Sequence, residues 1–233
     1  SLPADRALAW FAPAGVQAAG VTGTAWHGRA ERIATGGGVS LQRVRWAVPA
    51  WRLVSGTVAA DARFRVAGLA VSGRFARDLD GALHGRAINV RGPVAGLGAL
   101  LPGPAVAFGG DLLARVDRIV LADGRIETLA GRVQWSDAAV DAFPGVALGR
   151  VRATIEAAAD GPGHRLTLEA RDGAVDVAGR VRLEPDGRYS VDLELTPTAD
   201  APPGLRDALA LVAQPAGAGY RLRRSGRWPL PGG

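Results

Sequence analysis

The chain has 233 residues, enough for one large β domain or two small ones, and its 48% hydrophobic and 21% charged residues are ordinary for a folded domain. It contains no cysteine, which excludes disulfides, thiolate nucleophiles and cysteine metal sites. The formal charge is +6, and the arginines that carry it alternate with Asp and Glu along predicted strands. Because nucleic-acid binders gather their positive charge on one element, this spread disfavours nucleic acid as a partner.

The first third of the chain predicts short elements separated by glycine and proline. Residues 5–12 fit a short helix ended by Pro13. Residues 20–30 alternate small, apolar and polar side chains, which predicts one strand. The same alternation predicts further strands at residues 39–48, 56–66, 69–75 and 83–90.

The middle of the chain contains an uncharged segment, residues 93–110, with Pro102 and Pro104 at its centre. A buried connection or a short helix is one interpretation, and a loop that contacts a membrane or a partner is the other. Strands are predicted to resume at residues 111–121 and 126–135.

Residues 148–196 alternate apolar and polar side chains in four segments, which predicts an antiparallel meander. The turn Pro185-Asp186-Gly187 fixes the last register. In that register Leu183 lies opposite Tyr189, Val181 opposite Val191 and Arg180 opposite Asp192.

A second turn of the meander, Asp172-Gly173, sets Leu168 opposite Val177. That pairing also opposes Glu169 to Asp176, an unfavourable contact between like charges. Gly179 shares its parity with the valines on either side, so we expect it on the inward face.

Pro202 and Pro203 begin a predicted helix in which Leu205, Leu209 and Val212 follow helical spacing. A closing strand is predicted at residues 220–228. Glycine recurs inside the predicted strands, usually before arginine, and mid-strand glycine marks bulges and bends. The sequence therefore predicts a mainly β fold: a strongly curved antiparallel sheet (a meander, rolled or half-barrel-like) with a short helix near the carboxyl terminus.

Catalytic and metal-binding patterns are missing from the sequence. His27, His84 and His164 are the only histidines, and none has a second ligand at metal-binding spacing. Five aspartates precede glycine, where turn chemistry places them, so few acids remain for an acid/base pair. We predict that the chain is not an enzyme and takes no metal or cofactor.

The tryptophans carry more functional signal. Tryptophans in β folds are more often core or rim anchors than ligand platforms. Trp46 alternates with Val44 and Val48, which favours the core for that residue.

Four segments carry a recognisable family pattern: Gly20-Val21-Thr22-Gly23-Thr24-Ala25-Trp26-His27-Gly28, Trp46-Ala47-Val48-Pro49-Ala50-Trp51-Arg52-Leu53, Leu129-Ala130-Gly131-Arg132-Val133-Gln134-Trp135 and Leu205-Arg206-Asp207-Ala208-Leu209-Ala210-Leu211. Together they resemble protein N of the bacterial type II (general) secretion system. The resemblance implies a non-enzymatic, inner-membrane-anchored protein whose single β domain, residues 1–233, lies on the periplasmic side of the bacterial inner membrane.

The same resemblance implies partners in the secretion apparatus, either the inner-membrane platform or the secretin. We expect an amino-terminal membrane anchor to precede Ser1. Because the resemblance is densest around Trp26, Trp46 and Trp51, we predict that they lie at a partner surface or at the membrane-proximal end. The alternative is that they are core residues. The family is similar, more distantly, to AsmA-like proteins, whose curved sheets are linked to lipid handling. A lipid-binding groove protein of the cell envelope is therefore the alternative function. An apolar face open to solvent would favour the groove, and a closed, filled core would favour the adaptor.

Overall fold

The structure is a computed structural model that describes residues 17–34, 39–49, 58–78, 80–100, 107–122, 125–140 and 146–227. The fifteen strands of these residues form one open antiparallel sheet, which confirms the predicted mainly β fold. The strands are β1 (Gln17–Ala19), β2 (Thr22–Gly23), β3 (His27–Ala34), β4 (Ser40–Ala47), β5 (Val58–Val66), β6 (Leu69–Arg77), β7 (Leu83–Pro93), β8 (Phe108–Ala122), β9 (Arg125–Val140), β10 (Ala147–Ala157), β11 (His164–Arg171), β12 (Val175–Leu183), β13 (Arg188–Pro197), β14 (Gln214–Ala216) and β15 (Gly219–Arg227).

Strand order in the sheet follows chain order from β3 to β13. At one edge, β1 and β2 both pair with β3. At the other edge, β15 pairs with β13, and β14 lies outside β15. The described part of the chain has one α-helix, α1 (Leu205–Val212), which confirms the predicted short helix near the carboxyl terminus.

The last predicted hairpin is confirmed residue by residue. Leu183 lies opposite Tyr189 and Val181 opposite Val191. The Glu184 N–H donates to the Arg188 carbonyl at 2.8 Å, and the turn closes as the three-residue loop predicts.

The predicted β11–β12 register is wrong by two residues. Leu168 lies opposite Gly179, and Ala170 lies opposite Val177. The connection is longer than the Asp-Gly turn because its residues bond to neighbouring strands. The Ala174 N–H donates to the Ala147 carbonyl at 2.8 Å, and this longer loop separates the like charges that the predicted register opposed.

The single strand predicted at residues 20–30 is also wrong. The chain reverses within this segment, so that β2 pairs back onto β3. The reversal is closed at its two ends: the Thr24 N–H donates to the His27 carbonyl at 2.9 Å, and the His27 N–H donates to Thr24 Oγ1 at 3.2 Å. The Thr24 hydroxyl therefore stabilises this turn, although glycine and proline are the residues that usually mark turns in a sequence.

Bulges keep the apolar side chains on one face along the longer strands. Arg43, Ala87 and Asp137 have positive φ values of 51°, 50° and 51°, and each lies where the strand register shifts. An extra residue in one strand reverses its alternation beyond that point. The two parts of a strand, before and after its bulge, therefore present their apolar residues to the same face.

The larger of the two buried clusters lies under α1. Leu205 and Leu209 are buried against a cluster drawn from β9 to β13, as their helical spacing predicts. Val212 is 50% exposed, which corrects its predicted place on the buried side of α1. A second, smaller cluster at the opposite end of the sheet contains Ala30, Ile33 and Val44.

The uncharged segment after β7 begins with a 3-10 helix (Val94–Leu100), so the short helix is confirmed for these residues. Val94 is 2% exposed. Several predicted features lie outside the described residues. They are the centre of that segment, the helix predicted at residues 5–12, Trp51 and Trp228.

Candidate interaction surfaces

Trp46 and Trp26 meet at one corner of the sheet, beside the β2–β3 turn. The Trp46 indole N–H donates to the Ala25 carbonyl at 3.1 Å, and the Val48 N–H donates to the Trp26 carbonyl at 2.7 Å. The Trp46 ring lies over Gly28 at the directly opposite position of β3, where a Cβ would collide with it. Only a residue without a side chain leaves room for this ring.

Both tryptophans remain half-buried, so each presents part of its ring to solvent. Trp46 also packs against the smaller core cluster. A tryptophan that combines a core contact with an accessible ring can serve structure and binding together. The third predicted member of this group, Trp51, lies outside the described residues, so the structure brings together two of the three.

The second surface is the apolar face of the sheet. From β5 to β9 this face carries residues such as Phe64, Phe75 and Val133, which are half-buried. The rings of Phe64 and Phe75 lie 6.0 Å apart between centroids. Because every described strand belongs to one sheet, no second described sheet covers these side chains.

The third surface is the polar face, which carries the arginines. In the strands from β10 to β15 most of these arginines pair with acids. Arg221 makes two hydrogen bonds of 2.7 and 2.6 Å to the Asp192 carboxylate. The register placed Arg180 opposite Asp192 as predicted, but the carboxylate binds the arginines of β15 on its other side.

These contacts lower the pKa values of several carboxyl groups. Hydrogen bonds from Arg221 hold the pKa of Asp192 below its ordinary value, and those from Arg182 do the same for Asp160. The pKa of Asp186 is lowered chiefly by the backbone N–H of Arg188. Each of these carboxylates is therefore stabilised in its charged form, as expected of structural partners.

The three histidines lie on three separate strands. His84 Nε2 lies 3.0 Å from Asp78 Oδ2, and this contact lowers the pKa of Asp78. His164 is 3% exposed, and its Nε2 lies 3.4 Å from the Ile126 carbonyl. Within the described ranges, no three His, Asp or Glu side chains converge as metal ligands would.

In the part of the chain that the structure describes, none of the helices is both long and apolar enough to span a membrane.

A family model described as type II secretion system (T2SS), protein N matches residues 14–223. The type II secretion system protein N of Aeromonas hydrophila is 28% identical over 220 residues, which cover 91% of this chain and 84% of that protein. The protein of the same name from Vibrio cholerae is 27% identical over 242 residues, which cover 97% of this chain and 91% of that protein. No solved structure matches the chain.

The fold places the chain among proteins built on one open antiparallel sheet, with an apolar face, an arginine-bearing face and a tryptophan corner. With the match over residues 14–223, the chain belongs to the type II secretion system protein N family and is a component of that apparatus.

Proposed function

We propose that this chain is a non-enzymatic adaptor of the type II secretion apparatus, a single β domain on the periplasmic side of the inner membrane. Family membership over most of the chain is the observation that carries the proposal. Its contacts would be with other secretion components, in the inner-membrane platform or the secretin, and an amino-terminal anchor would hold it at the membrane. The filled core under α1 supports this role, because a filled core favours an adaptor over a lipid groove.

The periplasmic location can be tested with single cysteines, because the chain has none of its own. Leu211 is 87% exposed, so Leu211→Cys in the full-length protein should react with a membrane-impermeant thiol reagent. We expect labelling once the outer membrane is permeabilised, with the inner membrane intact. Ala138→Cys, at a position 0% exposed, is the control that should react only after unfolding. Labelling of Leu211→Cys that requires lysis of the inner membrane would place the domain in the cytoplasm.

The adaptor role requires a direct neighbour in the apparatus. We propose that Trp26, Trp46 and Trp51 contact it, and photo-crosslinking from the position of Trp26 in full-length protein should join the chain to a secretion component. If the rings are interface anchors, each Trp→Ala variant should weaken association by about 2 kcal/mol or more. Loss of folding in all three variants, measured on the purified chain, would rule out the interface.

A second candidate function is a groove for lipid chains. The apolar face between β5 and β9 favours it, because half-buried aromatic and aliphatic side chains lie there without a second described sheet over them. Large uncovered apolar surfaces in folded proteins commonly bind apolar partners.

Lipid that co-purifies with the chain can be measured by native mass spectrometry. Val133→Asp would place a carboxylate among the apolar residues of adjacent strands and should release bound acyl chains. The neighbouring Gln134→Asp, on the opposite face of β9, is the control that should retain them. Equal retention by both variants, with circular dichroism unchanged, would exclude the groove.

A further inference from the structure

The polar face contains one continuous ladder of side chains that crosses seven neighbouring strands in register. Each member lies directly opposite the next, and neighbouring strands are about 4.8 Å apart. Five of the seven positions are arginine. From β3 to β9 the ladder consists of Arg29, Arg45, Arg63, Ser72, Asn89, Arg115 and Arg132.

A second row runs beside the first. Arg74, Arg86 and Arg118 lie opposite one another on β6, β7 and β8. We call the two rows together the cationic face. All of its arginines are exposed.

In the described ranges, acids pair with only two of the eight arginines of this face. Arg74 pairs with Asp61 and Arg115 with Asp117. The other six arginines of the face have no carboxylate partner among the described residues; they are Arg29, Arg45, Arg63, Arg86, Arg118 and Arg132. Like charges directly opposite each other destabilise a sheet, so this arrangement opposes folding. A bound polyanion would remove that repulsion.

The chemistry of the face favours phosphate groups at a membrane surface over the other polyanions. Stable protein interfaces have an apolar, aromatic centre. The described aromatics of β4 to β9 share the opposite, apolar face, so the cationic face has none to form such a centre or to stack on nucleic-acid bases. The described part of the cationic face consists of paired strands of one sheet, and this flat surface is unlike the helix or two-stranded ribbon that enters a DNA groove.

We propose that the cationic face binds the phosphate headgroups of an anionic lipid bilayer. Lipid headgroups can rearrange beneath fixed guanidinium groups, and such attraction requires no dehydrated apolar centre. Arginine forks match phosphate oxygens in paired hydrogen bonds. This inference does not depend on the role in secretion, since it concerns the purified chain and lipid alone.

The test is sedimentation of the 233-residue chain with vesicles. We expect binding to vesicles that contain phosphatidylglycerol, little binding to pure phosphatidylcholine, and loss of binding as salt rises from about 50 to 500 mM. The paired substitutions Arg45→Gln with Arg63→Gln, or Arg86→Gln with Arg118→Gln, should weaken binding roughly 10- to 30-fold.

The control pair, Arg206→Gln with Arg224→Gln, removes the same charge from exposed arginines outside the face and without ion pairs in the described structure. It should keep most of the binding. The Arg45/Arg63 pair should leave the unfolding midpoint unchanged or raise it, because opposed arginines repel.

Equal losses in the control and the face variants would show a response to net charge alone and overturn the proposal. Tighter association with polyglutamate or duplex DNA than with the vesicles would overturn the choice of a membrane.

Discussion

The two halves of the sheet differ in what covers them. In the carboxyl-terminal half, β10 to β15, α1 lies over the apolar face and helps to bury a cluster that includes Val177 and Leu195. In the amino-terminal half, β1 to β9, the buried cluster has three members. Other buried side chains of this half, such as Leu69 and Ile88, alternate with half-buried ones such as Phe64. One continuous sheet therefore joins a core that α1 covers to an apolar face that no second described sheet covers.

Charge follows the same division. The described residues of the amino-terminal half carry fourteen arginines and eight acids, and two of those arginines form ion pairs with acids. The described carboxyl-terminal half carries twelve arginines and eleven acids, and eight of its arginines form such pairs. The carboxyl-terminal half therefore has nearly balanced charge. The amino-terminal half has an excess of positive charge, which is suited to binding anions.

The largest expected effect tests the packed half. Leu209 is 5% exposed on the buried side of α1, so Leu209→Ala should lower the free energy of unfolding by about 2–5 kcal/mol. The control is Leu211→Ala at a position 87% exposed, where a change within about 0.5 kcal/mol is expected. Equal unfolding midpoints in urea for the two variants would mean that α1 does not cover a core.

The next effect tests the smaller core. Trp46 is half-buried, so Trp46→Ala should cost about 2–3 kcal/mol, below the 3–5 kcal/mol typical of a fully buried ring. Trp46→Phe keeps an aromatic ring but removes the donor to the Ala25 carbonyl, a loss of about 1 kcal/mol. Urea titration followed by circular dichroism separates the two. An unchanged midpoint for the alanine variant would remove Trp46 from the core.

A third change tests how tightly the strands of the packed half approach. As its parity predicted, Gly179 lies between the apolar residues Leu168 and Leu193. A Cβ at Gly179 would lie 2.8 Å from Leu193 Cα, so Gly179→Ala should cost about 1–3 kcal/mol.

The matched control is in the other half. A Cβ at Gly109 would lie 3.4 Å from Ala139 Cβ, an ordinary contact, and Gly109→Ala should change stability little. If both glycine variants unfold at the same denaturant concentration, the strand spacing is not the difference between them.

The smallest expected effect is a pH dependence of stability that arises from carboxylates of the carboxyl-terminal half. The folded pKa values of Asp160, Asp186 and Asp192 are depressed, so their stabilisation is present above the unfolded value of about 4 and is lost as pH falls through the folded values. We expect the unfolding midpoint to drop as the pH is lowered from about 5 to 3. Asp160→Asn with Asp192→Asn should flatten that dependence, and an unaltered pH profile would contradict the assignment.

Side-chain alternation was sufficient to predict the fold class, and Pro185-Asp186-Gly187 was sufficient to predict a register. The bulges at Arg43 and Ala87 were not predictable, because arginine and alanine are not residue types that signal positive φ. Aspartate adopts positive φ more readily, but Asp137 lies inside an alternating strand with no turn signal beside it. Each bulge changes which residues share a face.

The cationic face could not be predicted for the same reason. Arginines spaced along separate strands looked dispersed in the sequence, and only the registers across β3 to β9 bring them into rows. A shift of one residue in a single strand would turn its arginines to the other face. The tryptophan corner was partly predictable, since Trp46 alternates with valines, but its hydrogen bond to Ala25 depends on the unexpected β2–β3 reversal.

The strand order has a consequence for how the molecule assembles. From β3 to β12 each strand pairs with the strand that precedes it in the chain and the one that follows. Pairings between consecutive strands require the closure of short loops only, which favours rapid folding compared with β proteins that join distant segments. A nascent chain could add one hairpin at a time as it emerges, and growth from any early hairpin could proceed in both directions, as in repeat proteins.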